Sequence, residues 1–581
     1  MTQPRLAGRH AVALGIDYGT ESGRVLALDL VTGVELATAV VPYRHGVIDR
    51  ALPGSQEPLP PDWALQHPQD YLDVLYEGIP QVLSRGQVDP SQVVGLGVDC
   101  TASTDMPVDA EGMPLALDRR WAHRPHAWPK LWKHHAAHGL AEQLTARARG
   151  QEFLGRYGGR ISSEWYFPKL LQVFLEDRDV YDAMARFIEA TDWIVWHLTG
   201  REARSACAAG YKALWAAGSG TPDAAYFRGV CPDFGDPSAK LGHVFYPPGT
   251  DAGPLAPSVA ASLGLGADVR VAVGNVDAMV SAPAVGLTGP GTLVMVMGTS
   301  ICHLTVSSAE VRMPGITGVV RDGVLPGWFG YEAGQAAVGD MFAWFLRTAV
   351  PRADAEAAER RGVSLYEYLE EQARGVAPGA SGLLAFDWWN GNRSILGDTD
   401  LSGVLVGLTL SASSADVYRA LLEGAALGTR RILDNFREHG VPIDRVTACG
   451  GLPQRSPLLM QIYADVLGLP VDVPASSEVP ARGSAMFGAV AAGSRRGGFD
   501  SLAEAVDALA SPLQQRFQPC PSAHAVYTDV YQVYRELYQR LGEDAAPALH
   551  RLKSVRRETL SSKVPDCGGP PRAGRESEVT R

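Results

Sequence analysis

An apolar strand that stops on a carboxylate and reverses through small, hydroxyl-bearing residues leaves few folds open. Asp17-Tyr18-Gly19-Thr20-Glu21-Ser22-Gly23-Arg24 is such a stop. The apolar run Ala11 to Ile16 leads into it, Val25 to Leu30 leaves it, and Val34 to Val41 follows the Thr32-Gly33 bend. Asp17 at this bend can hold a hydrated magnesium ion, while Gly19, Thr20 and the neighbouring amides face a polyphosphate. The bland alternative is a hairpin whose Asp and Gly serve turn geometry only.

The same device recurs near the middle of the chain. Thr292 to Met297 reads as a strand, Gly298-Thr299-Ser300 as a tight turn and Ile301 to Val306 as the returning strand. Two such hairpins can face each other and grip one nucleotide, although small residues also simply permit a sharp reversal. His67 to Ser84 has helical spacing and leads into Val93 to Val98, which ends at Asp99. Strand–strand–strand–helix–strand is the opening shared by actin-like, ribonuclease-H-like ATPase domains. The fold class expected is therefore α/β, with two such domains and a catalytic cleft between them. We divide the chain at 1–275 and 276–545, with 546–581 expected to be a disordered tail.

At 581 residues the chain exceeds what one hydrophobic core supports, so at least two domains are expected. A net charge of −12 disfavours a general nucleic-acid binder, which needs clustered Lys and Arg. No apolar run reaches roughly 18 residues, which predicts no membrane span. Met1 to His10 lacks the apolar core of a secretory signal, so a cytoplasmic setting is expected. Seven scattered cysteines without CxxC spacing fit a reducing compartment.

Several residues could carry chemistry. Asp277, in Gly274-Asn275-Val276-Asp277-Ala278, follows an apolar strand at the junction of the halves. It reads as a proton acceptor for a sugar hydroxyl or as a cap on the helix Ala278 to Val285. Cys449-Gly450-Gly451 ends another strand with glycines that let backbone approach an adenine or ribose. Glu164, Lys169, Lys212 and Glu332-Ala333-Gly334-Gln335 are polar groups in aromatic settings, as in a polyol pocket, and each reads equally as a buried, paired residue. The cluster His123, His126, His134, His135 and His138 lacks the Glu that a zinc-protease helix carries after its first His.

These stretches together resemble the FGGY carbohydrate kinases, and within them the ribulokinase-like members, from about Ala11 to about Leu541. The resemblance rests on Asp17 to Arg24, Gly298-Thr299-Ser300, Ala448-Cys449-Gly450-Gly451 and Gly403 to Leu408. It also rests on Val98 to Thr104, Leu131 to Ala137, Ser162 to Trp165, Ala209 to Trp215 and Glu332 to Gln335. The Met-His-Gly element of a xylulose kinase is absent near Cys100 to Thr104. The resemblance implies ATP and Mg²⁺ as cofactors and transfer of the γ-phosphoryl group to the 5-hydroxyl of L-ribulose, a step of L-arabinose breakdown. By it, Asp277 is the general base and Asp17 organises Mg²⁺. Ala102, Lys212, Asp277 and Glu332 line the ketopentose pocket. Gly19, Thr20, Arg24, Gly298, Thr299, Gly450 and Gly451 meet the nucleotide. The partners implied are a ketopentose and ATP, with no nucleic acid and no membrane, and a homodimer is compatible with it. Rival readings are a kinase for D-ribulose or another polyol, a degenerate kinase, and a non-enzymatic actin-like ATP-binding sugar sensor.

Overall fold

The computed structural model describes residues 10–561. Its frame is two seven-stranded sheets that repeat one plan. In the first, Val12–Tyr18, Ser22–Asp29 and Glu35–Pro42 form an antiparallel meander. Val93–Cys100 then adds parallel to Val12–Tyr18, followed by Arg270–Ala272 and Asp251–Pro254. The two-residue strand Asn275–Val276 also pairs beside Val93–Cys100, on this first sheet.

In the second sheet, Gly291–Met297, Ile301–Ser307, Phe329–Gln335 and Gly318–Arg321 form the meander. Ile443–Cys449 lies parallel to Gly291–Met297, with Val471–Pro474 and Leu513–Phe517 beyond it. Both expected hairpins are thus real, and each passes its first strand to a parallel neighbour. Val12–Tyr18 is buried along its whole length, which is why it reads as a continuous apolar run rather than an alternating one.

The helices follow their periodicity. The expected helix at 67–84 forms as Pro68–Gly86, interrupted by a π turn at Val74–Gly78. The longest, Ser414–Glu438, starts at a capping box between Ser413 and Asp416. It buries Leu421, Leu422, Ala425, Ile432 and Phe436 in the core of the second half.

One helix joins the halves. Val479–Ala492 comes late in the chain yet lies across the first sheet, against Val12–Tyr18 and Val93–Cys100. Its seat is made of residues without side chains. A Cβ at Gly15 would stand 1.7 Å from the Ala481 carbonyl oxygen, and one at Gly97 would stand 1.9 Å from that of Ser484. Glycine weakens a strand, but it is the one residue that lets a second backbone approach this closely. Gly483, on another side of the same helix, admits the Val280 carbonyl of helix Asp277–Ala284 in the same way.

The C-terminal expectation is corrected. Residues 546–561 are not a disordered tail but a helix, Ala546–Ser561. It has little apolar periodicity because it is held mainly by polar contacts: His550 to Asp398 at 2.8 Å, Lys553 Nζ to the Thr399 and Leu401 carbonyls, and Arg557 to Asp400 at 2.6 Å. The remainder of that expected tail, 562–581, lies outside the described residues. The stretch 218–251 is rich in Gly and Pro. It carries the short helices Ala224–Val230 and Ser238–Leu241, organised by Phe227 and Phe234 packing on Phe167, Phe174 and Tyr181. Among the described residues no helix is long and apolar enough to cross a membrane.

The glycine seat makes a direct prediction. Gly97→Ala forces the Val479–Ala492 helix off the sheet and should lower the unfolding free energy by about 3 kcal/mol, as overpacking in a dense core does. Urea denaturation measures it; a loss under about 0.5 kcal/mol would show that the helix is not seated as described.

Candidate active site

Three parallel strand ends bring the first group of polar residues together. Asp17 is in register with Asp99 on the neighbouring strand, and Asp99 with Asn275 on the next. Asp277 follows two residues later as the first residue of helix Asp277–Ala284. Asp99 is fully buried. Its Oδ2 accepts from Ser484 at 2.5 Å, while its Oδ1 has no donor.

Burial raises the Asp99 pKa well above the usual carboxylate range, and the adjacent Asp17 charge raises it further. The Asp17 pKa is also raised by burial, though Arg24 opposes this from 3.7 Å. Of the two, Asp99 is the one whose neutral form burial and its neighbour favour more. Asp99 was passed over in the sequence, although it ends its strand just as Asp17 does.

Asp277 is partly exposed, and its Oδ1 accepts the Ala278 N–H at 2.7 Å. It therefore satisfies the start of its helix and keeps its other oxygen for the site. Its pKa is pushed up to about 7, first by burial and then by Asp17, with Glu332 adding and Lys212 opposing. Asp277 thus lies within electrostatic reach of Asp17, Lys212 and Glu332.

Lys212, at the end of helix Ala206–Lys212, pairs with Glu332 on strand Phe329–Gln335 at 3.1 Å, so the two expected pocket residues join the halves. The Lys212 pKa is raised: burial alone would lower it, and Glu332 and Glu164 more than offset that. Ala102 is half-buried against the apolar cluster containing Cys207, Val276 and Val294.

The glycine loop is pinned from several sides. Tyr43 Oη donates to the Gly19 carbonyl at 3.0 Å, Gln66 to the Thr20 carbonyl at 2.8 Å and the Trp132 indole to Thr20 Oγ1 at 3.1 Å. Arg24 also reaches Glu478 at 3.4 Å, just ahead of the joining helix.

Gly298, Thr299, Gly450 and Gly451 form a second group at the corresponding end of the other sheet. Gly450 has φ 98°, and a Cβ there would meet the Met297 carbonyl at 2.5 Å. Gly451 faces open space. Thr299 is exposed, and its carbonyl accepts from the Asp340 N–H. No hydrogen bond or ion pair among the described residues joins Thr299 to Asp17 or Asp277. The link is indirect: helix Asp277–Ala284 packs on both strands of the second hairpin. The half-buried Cys302 thiol on that hairpin feels Glu332, Arg393, Asp277 and Lys212.

Other candidates resolve as structural. Lys169 is fully buried and donates to the Ser103 and Lys130 carbonyls while pairing with Asp105. Gln335 is saturated by Asp387, Ala425 and Thr429. His134 is buried, its ring nitrogens taken by Gln172 and the Ala64 N–H, and its pKa is lowered to about 2 by burial. His126 bonds Glu176. Among the described residues no three His, Cys, Asp or Glu groups are placed to hold a metal by themselves.

A strand–turn–strand plan used once in each of two sheets, with carboxylates at the strand ends of the first and glycines at those of the second, is that of the actin-like, ribonuclease-H-like ATPase fold. The chain belongs to the FGGY family of carbohydrate kinases: the family's N-terminal domain matches residues 12–284 and its C-terminal domain residues 293–492. As such it is a phosphotransferase with an alcohol group as acceptor and ATP as donor. A ribulokinase of Geobacillus thermodenitrificans is 50% identical over 553 residues, covering 95% of this chain and 98% of that protein. A ribulokinase of Mycolicibacterium smegmatis is 44% identical, covering 97% and 100%. Xylulose kinase from Rhodospirillum rubrum superposes with a TM-score of 0.75 at 23% identity, covering 93% of this chain and 100% of that one. Gluconate kinase from Lactobacillus acidophilus reaches 0.76 at 16% identity, covering 92% and 99%. At such identities the superpositions speak for the fold alone.

The raised Asp277 carboxyl has a consequence for stability. In the unfolded chain it titrates near 3.8, and in the folded one near 7. The folded state therefore holds the proton more tightly, and this group's contribution to stability is lost as pH rises through about 7. Asp277→Asn keeps the acceptor for Ala278 and removes the charge. In ligand-free protein its unfolding free energy, from urea denaturation, should match wild type near pH 4 and exceed it increasingly up to about pH 7, by up to about 4 kcal/mol at about 1.4 kcal/mol per pKa unit. A gap that does not widen with pH would refute the raised value.

Proposed function

We propose that this protein transfers the γ-phosphoryl group of ATP to the 5-hydroxyl of L-ribulose, giving L-ribulose 5-phosphate and ADP, in a cytoplasmic step of L-arabinose breakdown. The observation that carries the reading is the Lys212–Glu332 pair that joins the halves, with the buried carboxyl of Asp277, pushed up to about 7, in electrostatic reach of it and of Asp17. Near-full-length likeness to ribulokinases supports the choice of sugar. The six cysteines among the described residues are free thiols, which suits a reducing compartment.

In this reading the ketopentose lies against Ala102, with Lys212 donating to its hydroxyl oxygens and Glu332 accepting from its hydroxyl protons. Asp277 accepts the proton of the 5-hydroxyl as that oxygen attacks phosphorus. The oxygen–phosphorus bond to ADP breaks, and ADP leaves with the negative charge. Phosphoryl transfer needs little more of a protein than positioning and charge stabilisation. Gly19, Thr20 and Arg24 from one half, and Gly298 and Thr299 from the other, hold the phosphates, while Gly450 and Gly451 leave room for the nucleoside.

Asp17, beside the donorless Asp99 Oδ1, supplies the hard oxygens that suit magnesium. Such a cation would complete its shell with water and phosphate oxygens and would neutralise charge on the phosphates. Arg24 then balances Asp17 whenever the nucleotide is away.

A coupled ADP-release assay over ketopentoses and polyols tests the reading. L-ribulose should give the highest kcat/KM, and Asp277→Asn, while folding normally, should lose roughly 10²–10⁴-fold in turnover. Preference for D-ribulose or another polyol would move the substrate assignment. Nucleotide binding without sugar-stimulated ADP release would favour a sensor, and full turnover by Asp277→Asn would remove that residue from its role.

A further inference from the structure

A second ion pair crosses between the halves beside Lys212–Glu332, and its cationic member lies in a stretch that the sequence reading passed over. Arg393 belongs to the turn Gly391–Ser394 that follows strand Leu384–Phe386. That turn is held from many directions. Asn392 exchanges backbone hydrogen bonds with Asp398 at 2.7 and 2.8 Å, Asn392 Oδ1 accepts the Leu396 N–H, and Tyr538 Oη accepts the Ile395 N–H. Ser394 Oγ accepts the Gly334 N–H at 3.1 Å, which ties the turn to the strand carrying Glu332. The C-terminal helix Ala546–Ser561 closes the far side through His550, Lys553 and Arg557.

So fixed, Arg393 runs over Gly334. A Cβ there would come within 3.0 Å of its Cδ and 3.5 Å of its Nη1, so the stem occupies the space that any other residue would fill. Residues 332 and 334 share one face of the strand, which lays the guanidinium alongside Glu332. Its Nη2 ends 3.8 Å from Oε1 of Glu164, in the turn before helix Tyr166–Glu176 of the first half. That distance is an ion pair but too long for a hydrogen bond.

Neither the guanidinium nor the Glu164 carboxylate makes any hydrogen bond among the described residues, although their side chains are only 23% and 21% exposed. Five donors and a carboxylate left unused in a mostly enclosed place call for a partner that the polypeptide does not supply. Burial alone would lower the Arg393 pKa, and the Glu164 charge, with help from Cys302 and Glu332, more than offsets it, so the group stays cationic.

We propose that Arg393 and Glu164 are substrate contacts, a second donor–acceptor pair that extends the polyol site from the Lys212–Glu332 pair. Each hydroxyl of a polyol both donates and accepts, so one can enter between the two groups and bond both. Because the members come from opposite halves, a sugar seated there also draws the halves together. The inference rests on the sugar-kinase reading above and adds two residues to it.

Steady-state kinetics of Arg393→Gln, Arg393→Lys and Glu164→Gln, with separate titrations of L-ribulose and ATP and a melting curve for each variant, tests it. Arg393→Gln should raise the sugar KM roughly 10- to 100-fold while the ATP KM stays within about twofold, as expected for a lost charged hydrogen bond to one ligand only. Glu164→Gln should raise the sugar KM in the same sense, and Arg393→Lys should recover part of the loss. Sugar KM values within about twofold of wild type for both neutral variants overturn the proposal. If Arg393→Gln fails to fold, Glu164→Gln decides by the same criterion. A wild type that turns over L-ribulose or another polyol beside unaffected variants sinks this inference alone. A wild type that neither binds nor phosphorylates any polyol sinks the underlying reading and this inference with it.

Discussion

The backbone-on-backbone contact between helix Val479–Ala492 and the first sheet is the constraint from which the rest of the structure follows. Gly15 and Gly97 let the helix come closer than any side chain allows. That closeness fixes its rotation and height, and its polar residues are then aimed without freedom. Ser484 reaches Asp99, Gly483 takes the carbonyl of Val280 one turn past Asp277, and Glu478 meets Arg24. Arg482 bonds Glu35 and the Gly33 carbonyl at the meander's second bend. One late helix thus positions the Asp99 carboxyl, helix Asp277–Ala284 and the Arg24 cation of the first glycine loop.

Charge at the site is arranged by enclosure as much as by partners. Asp17, Asp99 and Asp277 lie close enough for each ionised group to oppose the next. Burial favours the neutral form of the deepest, Arg24 balances Asp17, and Asp277 is left near neutrality, where a carboxyl can both lose and regain a proton. Like charges held in one place cost stability and are tolerated where chemistry requires them. The Lys212–Glu332 and Arg393–Glu164 pairs then tie the halves with opposite charges, so the crossing contacts are polar where the core contacts are apolar.

The two hairpins were legible because each strand–turn–strand signal is local: the carboxylate, the glycine and the hydroxyl are neighbours in the chain. The helix at 67–84 was legible for the same reason, its apolar spacing being a property of one segment. Lys169 and Gln335 misled because a buried polar residue looks alike in sequence whether it awaits a ligand or is already saturated by distant groups. Asp99 and Arg393 went unread because their importance lies in partners 82 and more residues away, at Asp17 and Glu164. The C-terminal helix was missed because it is held by polar contacts to the 398–401 loop and shows almost none of the apolar pattern that marks a docked helix.

The linear order of residues determined the elements, their doubled plan and the kinds of side chain that end the strands, since backbone geometry and periodicity act over a few residues. Tertiary structure alone decided which of those side chains meet. Register between parallel strands set Asp17 beside Asp99, and the glycine seat brought residues 478–484 back onto strands some 400 positions earlier. Burial, which no local pattern encodes, decided which carboxyl favours its neutral form.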